Sequence, residues 1–197
     1  MAYGGLARRK SRTEGTLSDE LELVTALRRG DHDAFDTIYD RYRPRVFAFL
    51  ARLSGERALA EDLLQETFVR LARRARDLDP TTRLLPWLFT VARNLFVDHR
   101  RRVLLDFDRL RDLALWSSRP RRVEETPFDS TSASETERRV EAALLRLPAK
   151  YREAVLLVGV EGLTPNEAAG ILDVSPDALR QRLSRGRARL RDILEEI

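Results

Sequence analysis

The sequence predicts an all-α protein of two small helical domains joined by a flexible linker. Apolar residues recur at spacings of three and four through residues 31–102, and again from Glu135 onward. No stretch shows the strict alternation of a half-buried strand. Between the two periodic regions lies SSRPRRVEETPFDSTSAS, residues 117–134, which is polar and rich in Ser, Thr and Pro as a linker is.

In the first region, Phe35, Ile38, Tyr39, Tyr42, Val46 and Leu50 mark one helix, which Pro44 is expected to kink or restart. A second helix, from about Ala58 to Ala75, turns Ala60, Leu63, Leu64, Thr67, Phe68, Leu71 and Ala75 inward. A third starts at Pro86, a favoured first helical position, and carries Leu88, Val91, Ala92 and Leu95 on one side. Residues 103–116 add a short helix before the linker, which as a whole spans 103–134. Ahead of all this, residues 1–30 form an N-terminal extension whose first 18 residues read as a disordered tail.

The second domain, 135–197, opens with a stripe of Val140, Ala143, Leu144 and Leu147 that Pro148 ends. Tyr151, Ala154, Val155 and Val158 form the next, ending near Gly162. Thr164-Pro165-Asn166-Glu167 is a strong helix start: Thr164 caps the free amides, Pro165 fits the first turn and Glu167 completes a capping box. Asp173-Val174 turns the chain, and Ser175-Pro176 starts another helix in the same manner. That last helix packs inward through Leu179, Leu183, Leu190 and Ile193. Two short helices, a tight turn and a basic second helix make a helix-turn-helix, whose second helix fits a DNA major groove. An amphipathic helix lying on a membrane surface would also show an arginine face. It would not need the separately capped helix before it.

Composition limits the alternatives. The chain has 197 residues, 43% of them hydrophobic, enough for one medium or two small cores. No apolar run approaches bilayer length, so no membrane insertion is expected, and the polar start MAYGGLARRKSRTEG lacks the apolar stretch of a secretory signal. Cysteine is absent, which excludes disulfides and thiolate metal sites and suits a reducing cytoplasm. His32 and His99 are far apart and read as surface or packing residues, so no metal or other cofactor is expected. No glycine-rich phosphate loop or nucleophile motif is present, and Asp106, Asp108 and Asp112 lack the glycine and distal glutamate of a calcium loop. They read as exposed helix charge, and the chain reads as a non-enzyme.

The net charge of +4 is modest, but its distribution is not. From Glu135 onward eleven basic residues balance eleven acidic ones, yet six arginines fall within Arg180–Arg191 with no acid among them. Arg100, Arg101 and Arg102 form a second cluster. These are two local basic sites suited to phosphates.

The segment LRLPAKYREAVLLVGVEGLTPNEAAGILDVSPDALRQRLSRGRARLRDIL resembles the C-terminal domain of extracytoplasmic-function (ECF) sigma factors of the sigma-70 family, which reads the promoter's −35 element. The resemblance implies that Arg180, Gln181 and Ser184 read bases, and that Arg182, Arg185 and Arg187 contact the DNA backbone or pack. Ala178 stands where the family usually has Thr, and Gly186 where it usually has Ala, which should soften the helix by about 1 kcal/mol. AEDLLQETFVRLARRA resembles the family's helix that docks on the clamp helices of the polymerase's largest subunit. Asp62, Gln65, Glu66 and Val69 there lie at i, i+3, i+4 and i+7, on the face opposite the apolar one. LLPWLFTVARNLFVDHRRR resembles the segment that opens and reads the −10 element. By that likeness Asn94 contacts DNA, Arg93 and Arg100–Arg102 suit phosphates, and the loop at about Arg76–Leu85 captures a flipped-out base. Trp87 reads as a packing residue.

The resemblance covers about 31–102 and 135–195 and implies a sigma factor with core RNA polymerase and promoter DNA as partners, and a membrane-linked anti-sigma factor as a third. The eighteen residues 117–134 reach about 60 Å extended, at roughly 3.3 Å each. A promoter spacer of about 17 base pairs is also near 60 Å at 3.4 Å per pair. The alternative is a helix-turn-helix regulator that never binds polymerase. It shares the last domain but gives no reason for the Asp62, Gln65, Glu66 face.

Overall fold

A computed structural model describes residues 19–113 and 134–197, without the side chains of 106–113. The expected tail at 1–18, most of the linker and the charges of Asp106, Asp108 and Asp112 lie outside the described residues. Every described element is helical.

Residues 19–28, which fall inside the N-terminal extension, form helix α1. Val24 and Leu27, three apart on one face, are buried, which is why this stretch docks on the first domain. Helix α2 (His32–Ser54) starts at Asp31, whose carboxylate accepts from the amides of Asp33 at 2.9 Å and Ala34 at 3.3 Å. It runs unbroken through Pro44 to Gly55, whose φ of 74° closes it in the left-handed conformation that glycine adopts without strain. Tyr42 and Val46, buried on either side of Pro44, hold the helix where the missing N–H would have weakened it. Helix α3 (Arg57–Arg74) buries Ala60, Leu63, Leu64, Thr67, Phe68 and Leu71. Helix α4 (Leu84–Leu113) starts two residues before the expected Pro86 and continues to Leu113, across the described part of the segment expected as a separate short helix. At 1.5 Å per residue its 30 residues span about 45 Å. Phe49 of α2 and Phe89 of α4 meet edge to face at 5.0 Å in the middle of this bundle.

The second domain comprises α5 (Glu135–Arg146), α6 (Ala149–Val155) continuing as a π turn through Leu156–Val160, α7 (Pro165–Leu172) and α8 (Pro176–Glu196). Reciprocal capping boxes open α5 at Ser134 with Glu137 and α7 at Thr164 with Glu167. Ser175 accepts from the amide of Ala178 at 3.2 Å to open α8. Asp173, at φ 51°, makes the left-handed turn between α7 and α8. Gly186 is where α8 crosses α6. A Cβ there would lie 2.9 Å from Val155 Cγ2 and 3.3 Å from Tyr151 Cβ and carbonyl oxygen. The family's usual alanine would not fit this crossing unshifted. The glycine therefore serves close approach of two helices, and its cost in helix propensity is offset by packing.

The two domains pack against one another. Helix α4 lies on α7, while α2 meets α5, α6 and the π turn. Their buried side chains form one apolar cluster. The Arg152 guanidinium reaches from α6 to the carbonyl oxygen of Leu53 at 2.7 Å. It also binds the carbonyls of Leu145 and Leu147 in its own domain. Four ion pairs cross the boundary among the described residues: Arg45–Glu161 at 3.0 Å, Arg52–Glu141 at 3.4 Å, Arg93–Glu153 at 3.4 Å, and Arg83–Glu167. In each the arginine belongs to the first domain and the glutamate to the second. Burial raises the Glu141 and Glu161 carboxyls above their usual range, and the facing arginines oppose that rise.

Candidate polymerase and nucleic-acid interfaces

On α3 the buried row turns Asp62, Gln65 and Val69 outward, with Glu66 half-buried beside them. Arg70 holds Glu66 at 3.1 Å one turn on, so the face offers two free polar groups, a clamped carboxylate and an exposed valine. A groove lies alongside, lined by Tyr39, Arg43, Pro44 and Phe47 of α2 and by Arg57 and Gln65 of α3. Arg43 sits over the Tyr39 ring at 5.7 Å and Arg57 over the Phe47 ring at 5.6 Å. Sequence reasoning passed over this groove. Tyr39 and Phe47 are eight apart, which places them on one face of α2, but only the α2–α3 packing makes that face the wall of a groove.

On α4, Arg93 and Arg100 lie seven apart on one face, and Asn94 and Arg101 on the next. Asn94, Arg100, Arg101 and Arg102 are exposed. Arg93 is different: it turns into the domain boundary, where Glu153 of α6 accepts from its Nε. Its Nη1 lies 3.4 Å from Asn94 Oδ1, so the two adjacent residues touch. Arg100 stacks over Phe96 at 5.9 Å. It lines a cleft with Leu53, His99, Val103, Ala149 and Arg152 that straddles the two domains. In the loop before α4, Leu78 is buried. The Asp79 carboxylate accepts from the Thr81 amide at 2.7 Å and hydroxyl at 2.5 Å, bonds that hold Asp79 below its usual range. Trp87 packs, partly buried, against the core.

On α8, Leu179 and Gly186 are buried, while Arg180, Gln181, Ser184, Arg185 and Arg187 are exposed and Arg182 is half-buried. Arg180 pairs with Asp177 one turn before it. A basic group gathers around Tyr151 of α6: Lys150 lies over the ring at 5.0 Å and Arg189 at 5.2 Å. The Arg185 guanidinium beside the phenol, together with these cations, holds it below its usual range. Lys150 was invisible as part of this surface because it lies on α6, 35 residues before Arg185. The domain packing thus covers Arg93 but leaves the arginine face of α8 open.

This geometry defines a two-domain helical protein with a helix-turn-helix in the second domain and a basic helix and an outward polar face in the first. Residues 38–103 match the family model "Sigma-70 region 2" and residues 137–190 match "Sigma-70, region 4". The chain is 37% identical to the RNA polymerase sigma factor CarQ of Myxococcus xanthus over 175 residues, covering 86% of this chain and 94% of that protein. It is 27% identical to the ECF sigma factor SigW of Bacillus subtilis, covering 88% and 96% respectively. The solved structure of the sigma factor RpoE with the anti-sigma factor NepR from Bartonella quintana superposes with a TM-score of 0.69. It is 27% identical, covering 82% of this chain and 96% of that one. The chain belongs to the sigma-70 family, in its ECF group. It is a sigma factor that binds core RNA polymerase and directs promoter recognition, DNA melting and initiation of transcription.

Proposed function

We propose how this chain divides that work among its residues. Asp62, Gln65, Glu66 and Val69 of α3 bind the clamp helices of the polymerase's largest subunit. Arg93, Asn94, Arg100 and Arg101 of α4, with the loop before it, engage the −10 element. Arg180, Gln181 and Ser184 of α8 read the −35 element, while Arg182, Arg185 and Arg187 hold its phosphates. The observation that carries the −35 assignment is the exposure of Arg180, Gln181 and Ser184 on the side of α8 opposite the buried Leu179.

The packed arrangement of the two domains fits a resting state. Two promoter elements about 60 Å apart cannot both be reached while α4 rests on α7. A protein partner of the anti-sigma kind would act by holding this state, as the pairing of RpoE with NepR in the Bartonella quintana complex is consistent with. The linker's reach permits the opening, and polymerase and DNA supply the driving contacts. The test is run-off transcription with purified core polymerase on a genomic DNA library. Specific initiation that requires this chain, at sites sharing −35 and −10 elements, is the expected result. DNA binding without any polymerase-dependent transcript would instead favour a helix-turn-helix regulator.

A further inference from the structure

Helix α4 carries the residues assigned to the −10 element, and the residue before it offers no side-chain acceptor to its first turn. The residue before it is Arg83, whose guanidinium only donates hydrogen bonds and is turned to Glu167. The buried first amide, that of Leu84, is satisfied from elsewhere: it donates to Glu20 Oε1 of α1 at 2.8 Å. The Tyr42 hydroxyl of α2 donates to the same oxygen at 3.1 Å. Glu20 is 8% exposed, an uncommon position for a carboxylate, and Leu84 is fully buried. One oxygen therefore joins three helices at the point where the 78–83 loop passes into α4. The carboxylate also complements the positive end of the helix dipole.

We propose that Glu20 is a positioning residue for promoter opening: its carboxylate fixes the first turn of α4 and so the downstream end of the loop ahead of the −10 residues. The loop is held upstream by the buried Leu78 and downstream by Leu84. Without Glu20 the Leu84 amide is buried and unpaired, so the first turn frays and the loop loses its downstream anchor. α1 thus acts on DNA that it does not touch, and this role rests on the −10 assignment made above.

The test uses the full chain assembled with core polymerase. The probe is the non-template strand across the −10 element of a promoter found by run-off transcription. Glu20→Ala should weaken binding of that single strand about tenfold, the loss expected for a hydrogen bond to a charged group. Binding of a duplex −35 fragment and affinity for core should change less than twofold. Glu20→Gln keeps an acceptor oxygen and should regain most of the loss. Val24→Ala loosens α1 packing without removing the acceptor and should spare strand binding. Hydrogen exchange at the Leu84 amide should be slow in the parent and in Glu20→Gln and fast in Glu20→Ala. Should Glu20→Ala not fold, Glu20→Gln and Tyr42→Phe carry the exchange and strand measurements, and slow exchange with near-parental binding is expected of both. The proposal is overturned if Glu20→Ala binds the strand like the parent, or loses all three affinities equally. It is also overturned if Val24→Ala reproduces the strand defect or Glu20→Gln is as impaired as Glu20→Ala. A parent holoenzyme that fails to bind the strand overturns the −10 assignment itself, and this inference with it.

Discussion

Arg93 Nε lies 3.4 Å from Glu153 Oε1, and this pair joins the longest helix of the first domain to the second domain. Both side chains are largely withdrawn from water, at 19% and 6% exposure. Removing either partner leaves the other charge buried and unpaired, which costs more than the pair itself contributes. The same arginine is assigned to DNA phosphate, so the carboxylate occupies a place that promoter DNA would need.

Reversing this pair should therefore open the protein. Arg93→Glu is expected to raise the radius of gyration of the free chain, measured by small-angle X-ray scattering. The swap Arg93→Glu with Glu153→Arg should restore compactness, because it rebuilds the contact in the opposite sense. A single variant as compact as the parent would show that the remaining boundary contacts hold the domains together without this pair.

Gly186→Ala should destabilise the second domain. On an open helix surface the change would stabilise by about 1 kcal/mol. Here the new methyl meets Val155 and the Tyr151 backbone, and overpacking of that kind costs about 1–3 kcal/mol. A lowered melting temperature checks the sign; a raised one would mean that α8 can shift away from α6 at little cost.

The polymerase face makes a separate prediction. Asp62→Lys with Glu66→Lys inverts the charge of the outward row without touching Leu63, Leu64 or Phe68. Helix content by circular dichroism should persist while core affinity falls about tenfold or more. Undiminished affinity would remove α3 from the interface.

Base and phosphate contacts on α8 can be told apart. Arg180→Ala should change the ranking of single-base −35 variants and cost about 1–3 kcal/mol on the cognate promoter. Arg187→Ala should weaken all variants together and flatten the salt dependence. Binding of a variant panel at two salt concentrations decides. If Arg180→Ala scales every variant equally, the reading face is rotated from the one assigned.

Tyr42 gives the first domain a signature in alkali. Burial first, and then the Glu20 charge, push its phenol from 10.0 up to about 12. A raised pKa stabilises the folded state while the group is protonated. That contribution is complete below pH 10 and is lost as pH rises through about 12. Thermal melting between pH 9 and 12 should show this decline, and Tyr42→Phe should reduce it.

The sequence by itself determined what depends on neighbours along the chain. The Thr164–Glu167 box, the Ser175 cap and the inward row from Leu63 to Leu71 each involve residues within one or two turns, so spacing alone reveals them. The same locality made the outward rows of α3 and α8 readable, because the face opposite a buried stripe needs no knowledge of what buries it. It could not reveal what residues far apart do to each other. Helix α4 begins at Leu84, not Pro86, and the Leu84 amide finds its acceptor on Glu20, 64 residues earlier. Gly186 reads as a weak point in a helix until α6 is seen crossing it. Arg93 looks like any basic residue on a DNA-facing helix, yet it is held by a glutamate 60 residues on. Hydrophobic periodicity records which side of an element is buried, not which element buries it. The closed packing of the two domains, and with it which side chains stay exposed, was decided only in three dimensions.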